Sequence, residues 1–397
     1  MTGESVSKKD PPSRPWIILP TAVLAVLALA WSGFWYFAST RAQSTMTAWR
    51  AREADAGRTY GCANASFGGY PFRIEVNCAD PSVADRASAT AVSARSLAAV
   101  AQVWDPDLVI AEIQGPLTVA TLAGAPTATV DWALAQASLR GAPRAPERLS
   151  IVVEKPTLVA APANAPDPVA KAEHLEFHAR FAPESAPGHP VIDLALDVTS
   201  FTAPALVRLG PPLATLAGAP TDAAIVAVLR GTSDLAPKPL AQQLRDIEAA
   251  DGRLEIANAR LQHGDVIATL SGAAALTARG TLNGEFHLVV VNFAGLVPLL
   301  GIDRAVAQMV PQDTLGRLAP NLDRLLPGLG SMLRGGNSGA GGSSASANAA
   351  AAALGAAALG GRDTELEGQR AVALTLRIDD GVVSLGPLKV AEIPPLF

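Results

Sequence analysis

The sequence predicts a mainly β protein with minor α: a large curved antiparallel sheet, groove-like or open-barrel-like, preceded by one N-terminal transmembrane helix. Three observations predict it. A stretch of 22 residues without a charge runs from Trp16 to Phe37. From about residue 70 to 292, and again after 362, apolar residues recur at every second position, the period of a strand with one apolar face. Only two cysteines occur in 397 residues, one near each end of YGCANASFGGYPFRIEVNC, residues 60–78.

Composition bounds the function classes. The length allows two or three cores. Hydrophobic residues make up 49% and charged residues 17%, an apolar lean for a soluble protein. The net charge is −5, with no basic run to neutralise phosphates, which argues against a nucleic-acid partner.

Residues 1–15 read as a cytoplasmic tail and 16–37 as the anchor. A helix of about 20 residues crosses a bilayer core. Trp16 stands at one end, and Trp31, Trp35 and Tyr36 at the other, as interfacial aromatics do. Pro20 falls early in the helix, where a missing N–H is tolerated. A cleaved signal peptide is the alternative, since Ala28-Leu29-Ala30 resembles a cleavage site, but WSGFWYF continues the apolar run past it. Basic residues flank both ends and do not orient the span.

The cysteines do. Free thiols or an incomplete metal pair are the alternatives for Cys62 and Cys78, and no third or fourth ligand lies near them. Closing a loop of this size stabilises by about 3 kcal/mol, and disulfides persist only in oxidising compartments. In PFRIEVNC, Phe72, Ile74, Val76 and Cys78 alternate with Arg73, Glu75 and Asn77, so Cys78 points inward and can staple the preceding turn. A disulfide between Cys62 and Cys78 puts the bulk of the chain in the periplasm, on a single-pass inner-membrane anchor. Gly69, Tyr70, Pro71, Phe72 and Arg73 form the structural motif of this region: Gly69 and Pro71 set the turn into the first strand.

Residues 38–57 lack strong breakers and read as a stalk helix ending at Gly57, with Met46 and Trp49 spaced to dock it. Residues 58–292 read as the antiparallel body. HLEFHARF places Leu175, Phe177, Ala179 and Phe181 on one face; VIDLALDV and TLNGEFHLVV repeat the pattern. Asp380-Gly381, inside the strand pair of 362–397, is a two-residue hairpin signal. Strands are expected to number about 14 to 18. Leu240, Leu244 and Ile247 form a helical stripe ending before Gly252. Leucines at helical spacing in 293–334 indicate amphipathic helices that cover the sheet; a lid or a membrane-surface contact is the alternative. Residues 335–361, rich in Gly, Ala and Ser, read as a flexible loop with at most a transient Ala helix. ATLAGAPT occurs at 120–127 and 214–221, each after a Gly-Pro, which hints at duplicated β-units.

No residue set reads as catalytic, so no enzyme and no cofactor are expected. His174-x-Glu176-x-His178 share a strand face, but the two histidines stand about 13 Å apart along it, too far for metal bonds of about 2 Å. A solvated polar face accounts for them. Asp105-Pro106-Asp107 and Asp379-Asp380 fall in turn contexts. No nucleophile elbow, phosphate loop or zinc-peptidase motif is present.

The anchor, Gly69-Tyr70-Pro71-Phe72-Arg73 with downstream Cys78, and the final RIDDGVVSLGPLKVAEIPPLF together resemble a bacterial envelope family catalogued as domain of unknown function 2125. The resemblance covers nearly the whole chain and carries no catalytic residues. In style, GRLEIANARLQHGDVIATLSGAAALTARGTLNGEF is also similar to the β-grooves of AsmA-like envelope proteins. That likeness, at the level of fold, implies handling of lipid. Two functions follow as expectations: an apolar β-groove that binds or transfers phospholipid or another acyl lipid beside the inner membrane, or a ligand-free structural or protein-interaction component of the envelope.

Overall fold

The computed structural model describes residues 15–141, 146–160, 168–182, 185, 190–205, 217, 219–232, 239–300 and 355–397. Helix α1 (Pro15–Asp55) is a single element of 41 residues. The expected anchor and stalk are therefore one uninterrupted helix, because nothing between Phe37 and Asp55 breaks it. Gly57, at φ +88, takes the left-handed position that ends it, its N–H donating to the Ala54 carbonyl at 3.0 Å. Trp49 packs on Tyr60, ring centroids 4.5 Å apart. The Arg58 guanidinium holds Glu53 at 2.6 Å. Together these contacts dock the C-terminal part of α1 on the body.

The body is antiparallel throughout, as the alternation predicts, and is not closed into a barrel. It consists of two sheets rather than one. The shorter has seven strands in the order β1 (Arg58–Gly61), β4 (Ser82–Asp85), β5 (Thr90–Ser93), β8 (Leu117–Thr121), β9 (Pro126–Asp131), β12 (Thr157–Ala160) and β13 (Ala170–Lys171). The longer has sixteen. It begins β2 (Asn64–Gly68), β3 (Arg73–Ala79), β6 (Ser96–Gln102), β7 (Asp105–Gln114), β10 (Leu134–Arg140), β11 (Arg148–Glu154), β14 (His174–Phe181) and β15 (Val191–Phe201). It continues through β16 (Thr221–Arg230), β17 (Arg253–His263), β18 (Val266–Leu276), β19 (Leu282–Val291), β21 (Gln369–Asp379), β22 (Val382–Leu385) and β23 (Leu388–Glu392), with β20 (Arg362–Leu366) also paired to β21.

The strands exceed the expected number because one line of chain often contributes to both sheets. β3 runs into β4 through Asp80, at φ 47, and β11 into β12 through Lys155, at φ 52. Pairing continues through these bends. The Asp80 N–H donates to Arg95 O, Arg95 N–H to Gln114 O, and Lys155 N–H to Glu173 O, at 2.9–3.1 Å. The seven-stranded sheet is thus a wing, bent off the first half of the long sheet. Bulges at Val198/Phe201, Val226/Ala227 and Ile256/Ala259 add twist to the middle.

Two short helices follow the sequence expectation. α2 (Leu240–Ala249) turns Ile247 inward but leaves Leu240 at 72% exposure. α3 (Phe293–Leu300) is the described part of the expected covering helices; residues 301–334 lie outside the described residues, as do 335–354 of the expected loop. The end of that loop differs from expectation. Residues 355–358 are helical, Ala356 is buried and Leu359 is 1% exposed. Gly361 N–H donates to the Ala356 carbonyl at 2.8 Å. One leucine among alanines and glycines is enough to pin this segment to the core. Half of the second copy of the ATLAGAPT repeat falls outside the described residues; the first forms the β8–β9 hairpin.

The Asp380-Gly381 hairpin forms as predicted, Asp379 pairing with Val382, with both turn residues at positive φ. Asp105 and Pro106, expected in a turn, instead open β7. The turn consists of the preceding Val103-Trp104, since Gln102 pairs with Asp105.

Candidate functional site

Directly paired residues of an antiparallel sheet point to the same side, so the register shows what each face carries. One row crosses the long sheet through Val76, Ala99, Ala111, Ala137, Ile151, Phe177, Leu196, Ile225, Ala259, Leu270, Leu288 and Leu374. Every member is apolar. A parallel row runs Ile74, Ala101, Val109, Leu139, Leu149 and Ala179, then on to Phe286 and Leu376. A third starts at Cys78, Leu97 and Ile113 and ends at Val290 and Val372. The opposite face is mixed: Glu112 opposes Gln136, Glu176 opposes Asp197, and Ser138 opposes Ser150.

What covers these rows changes along the sheet. At the C-terminal end, Phe293 and Val297 of α3, with Ala356 and Leu359, close over Leu374 and Leu385; Leu288, Val372 and Leu376 pack against them. Leu374 is 3% exposed. Phe286, Ile378 and Val383 form a second cluster there, and Ile267, Val291 and Ala371 a third. Among the described residues, these clusters contain nothing before Ile256. In the middle row, every residue from Val76 to Leu288 is only half-buried. From β3 to β16 the apolar face spans eight strands, about 34 Å at 4.8 Å per strand, and its three rows are about 13 Å wide.

The predicted motif lies at one end of this face. Cys62 and Cys78 form a disulfide, Cα atoms 5.6 Å apart, and Cys78 is buried, as its place in the apolar row requires. The bond ties the β1–β2 connection to β3. Gly69 adopts φ +97, and a Cβ there would meet the Arg73 carbonyl oxygen at 2.5 Å. Glycine is required because Arg73 N–H closes the turn onto the Gly69 carbonyl at 3.0 Å. The Tyr70–Pro71 peptide is cis.

Phe72, expected inward with Ile74, is 59% exposed. It belongs to the turn, before the alternation begins at Arg73. Tyr70, 56% exposed, points outward beside it. Both meet α1. The Trp31 indole N–H donates to the Pro71 carbonyl, and that of Trp35 to the Arg73 carbonyl, each at 2.8 Å. The Ser32 and Tyr70 hydroxyls are 2.8 Å apart. Trp35 meets Tyr70 edge-on at 5.5 Å, and Trp31 meets Phe72 at 6.2 Å. Trp104, at the β6–β7 turn, completes the group 6.3 Å from Phe72 and is 59% exposed. Its role was not legible, since only the turn at Val103-Trp104 brings it there. Arg73 reaches Glu75 at 3.2 Å.

The histidines occupy the polar face as expected. His174 Nδ1 lies 2.9 Å from Glu154 and its Nε2 3.5 Å from Glu176; His178 lies 2.8 Å from Glu176 and 2.8 Å from Ser150. The hydrogen bond to Glu154, reinforced by Glu176, raises the His174 pKa above its ordinary value. Among the described residues no His, Cys, Asp and Glu group is arranged to hold a metal ion. Asp105 pairs with Arg140 at 3.1 Å, and Asp380 accepts from the Thr281 hydroxyl at 2.6 Å. Both are tied up structurally.

A family model described as "Uncharacterized protein conserved in bacteria (DUF2125)" matches residues 35–394. The chain belongs to this family. The match spans the motif turn and both sheets through the last strand, β23, as the resemblance implied; it does not extend to the AsmA-like likeness. No curated protein matches the chain. The family begins within α1, and the N-terminal helix is long and apolar enough to cross a membrane.

Proposed function

We propose that this protein holds the acyl chains of a lipid against the half-buried apolar face of its long sheet, beside the inner membrane and on its periplasmic side. The observation that carries this reading is the middle apolar row, continuous over eight strands and half-buried at every one, which no described core cluster covers. An apolar strip about 34 Å long exceeds one bilayer leaflet's hydrocarbon depth of about 15 Å. It therefore suits extended chains rather than a compact ligand. Burial of apolar surface contributes about 25 cal/mol per Å², so a chain lying along the rows gains by leaving water. The helix supports proximity to a bilayer, and the disulfide supports an oxidising compartment.

The test is native mass spectrometry of residues 38–397, exported to the periplasm and purified without detergent, followed by lipid extraction. Stoichiometric phospholipid, lost in Leu196→Glu, supports the reading. A stable, bare body that takes up no lipid refutes it and leaves a structural or protein-interaction role in the envelope.

A further inference from the structure

We propose that Tyr70, Phe72 and Trp104 form a bilayer-interface contact that stands the body on the membrane, with the β6–β7 turn and the turn before β3 against the lipid headgroups. The inference rests on the anchor reading and is independent of what the sheet carries.

Three observations support it. First, all three side chains are more than half exposed, yet each is packed edge-on or tilted against a neighbouring ring. Large amphipathic aromatics left open in this way match a boundary that is apolar on one side and wet on the other. Second, the turn cannot swing away from the helix. Both indole N–H groups of Trp31 and Trp35 are committed to its backbone carbonyls, so the height of the turn is set by the height of those two residues. Third, that height can be calculated. If the hydrocarbon begins at Trp16, a rise of 1.5 Å per residue puts Trp31 at about 22 Å and Trp35 at about 28 Å. The core is about 30 Å thick. The turn thus meets the helix in about the last 8 Å of the core, next to the headgroups. Phe34, Tyr36 and Phe37, all exposed at the same level, continue the aromatic ring around the helix. Arg73, whose carbonyl the Trp35 indole holds at about 28 Å, just inside the edge of the core, has a side chain 60% exposed and long enough to reach the headgroups.

The experiment uses the full chain in phosphatidylethanolamine–phosphatidylglycerol vesicles containing lipids brominated near the headgroup end of the acyl chain. Tryptophan emission is compared between the wild type and the single variants Trp104→Phe and Trp132→Phe. Trp132 is the control. Its indole donates to the Ile113 carbonyl at 2.9 Å, about 27 Å along β7 from the Trp104 turn. The expected result is that the emission removed by Trp104→Phe is quenched by the bromines, whereas that removed by Trp132→Phe is not. Co-flotation of the protein with the vesicles reports the anchor separately. A chain that floats but whose Trp104 emission is as unquenched as that of Trp132 overturns the inference alone. A chain that fails to float overturns the anchor reading beneath it.

Discussion

Leu196 and Leu374 lie in the same row of the long sheet, the first outside every described core cluster and the second under α3, and a glutamate at each separates an open face from a closed one. Leu374 is 3% exposed, in contact with the cluster of Phe293, Val297 and Leu359. Leu374→Glu removes a buried leucine, worth about 2–3 kcal/mol, and places a carboxyl without a partner in an apolar site, at about 2 kcal/mol or more. The expected loss is about 5 kcal/mol. Leu196 belongs to no core cluster and is half-buried. Leu196→Glu there exchanges one partly wet strand residue for another, at about 1 kcal/mol. Urea unfolding of the full chain in mild detergent, followed by far-ultraviolet circular dichroism, reads the difference. With a slope of about 2–3 kcal/mol per molar urea, the two midpoints should differ by about 1–2 M. Equal destabilisation by both glutamates would mean that the first half of the sheet is sealed, and the groove would have to be abandoned.

Three further outcomes are expected. Cys78→Ser, which opens a link between residues 16 apart in sequence, should lower stability by about 3 kcal/mol; an unchanged urea midpoint with and without reductant would contradict this. Gly69→Ala should cost about 1–3 kcal/mol through its positive φ and the clash with Arg73, and should loosen the turn, read as a red shift and increased quencher access of Trp31 and Trp35. The raised pKa of His174, caused chiefly by Glu154, means that its stabilising contribution is complete below the unfolded value of about 6.5 and is lost as pH rises through the folded value. His174→Gln should flatten the dependence of the urea midpoint on pH in that window, and an unaltered profile would count against the Glu154–His174 pair.

Much of the architecture was legible because the long sheet has one apolar face, and a period of two is the direct record of that. The alternation in HLEFHARF and VIDLALDV appears in the register as Phe177 opposite Leu196 and Leu175 opposite Val198. Asp380-Gly381 announced its hairpin because only small or polar residues accept two positive φ angles in succession. The wing was not legible. Its bends fall at Asp80 and Lys155, left-handed residues each followed by a proline; an X-Pro pair marks a break in a strand but does not say that the chain crosses there into a second sheet. Leu359 was obscured by its alanine-rich surroundings. At the motif, the cysteines and Gly69 could be read from chemistry and conformation. The outward aim of Phe72 could not, because alternation was extended one residue too far into the turn. Trp31, Trp35 and Trp104 are brought to that turn by tertiary contacts alone.

Two antiparallel sheets that never close have four margins, at β1 and β13 of the wing and at β2 and β23 of the long sheet, where a foreign strand could add. Here the β1 margin of the wing is occupied by α1, through Trp49 on Tyr60 and Glu53 on Arg58. The β23 margin carries the Lys389–Glu392 ion pair and runs directly into Pro394-Pro395, neither of which welcomes a new partner. The long helix therefore acts as a guard rail as well as a tether: cutting the chain at Gly57 would leave β1 bare and should make the body prone to zip onto its own copies.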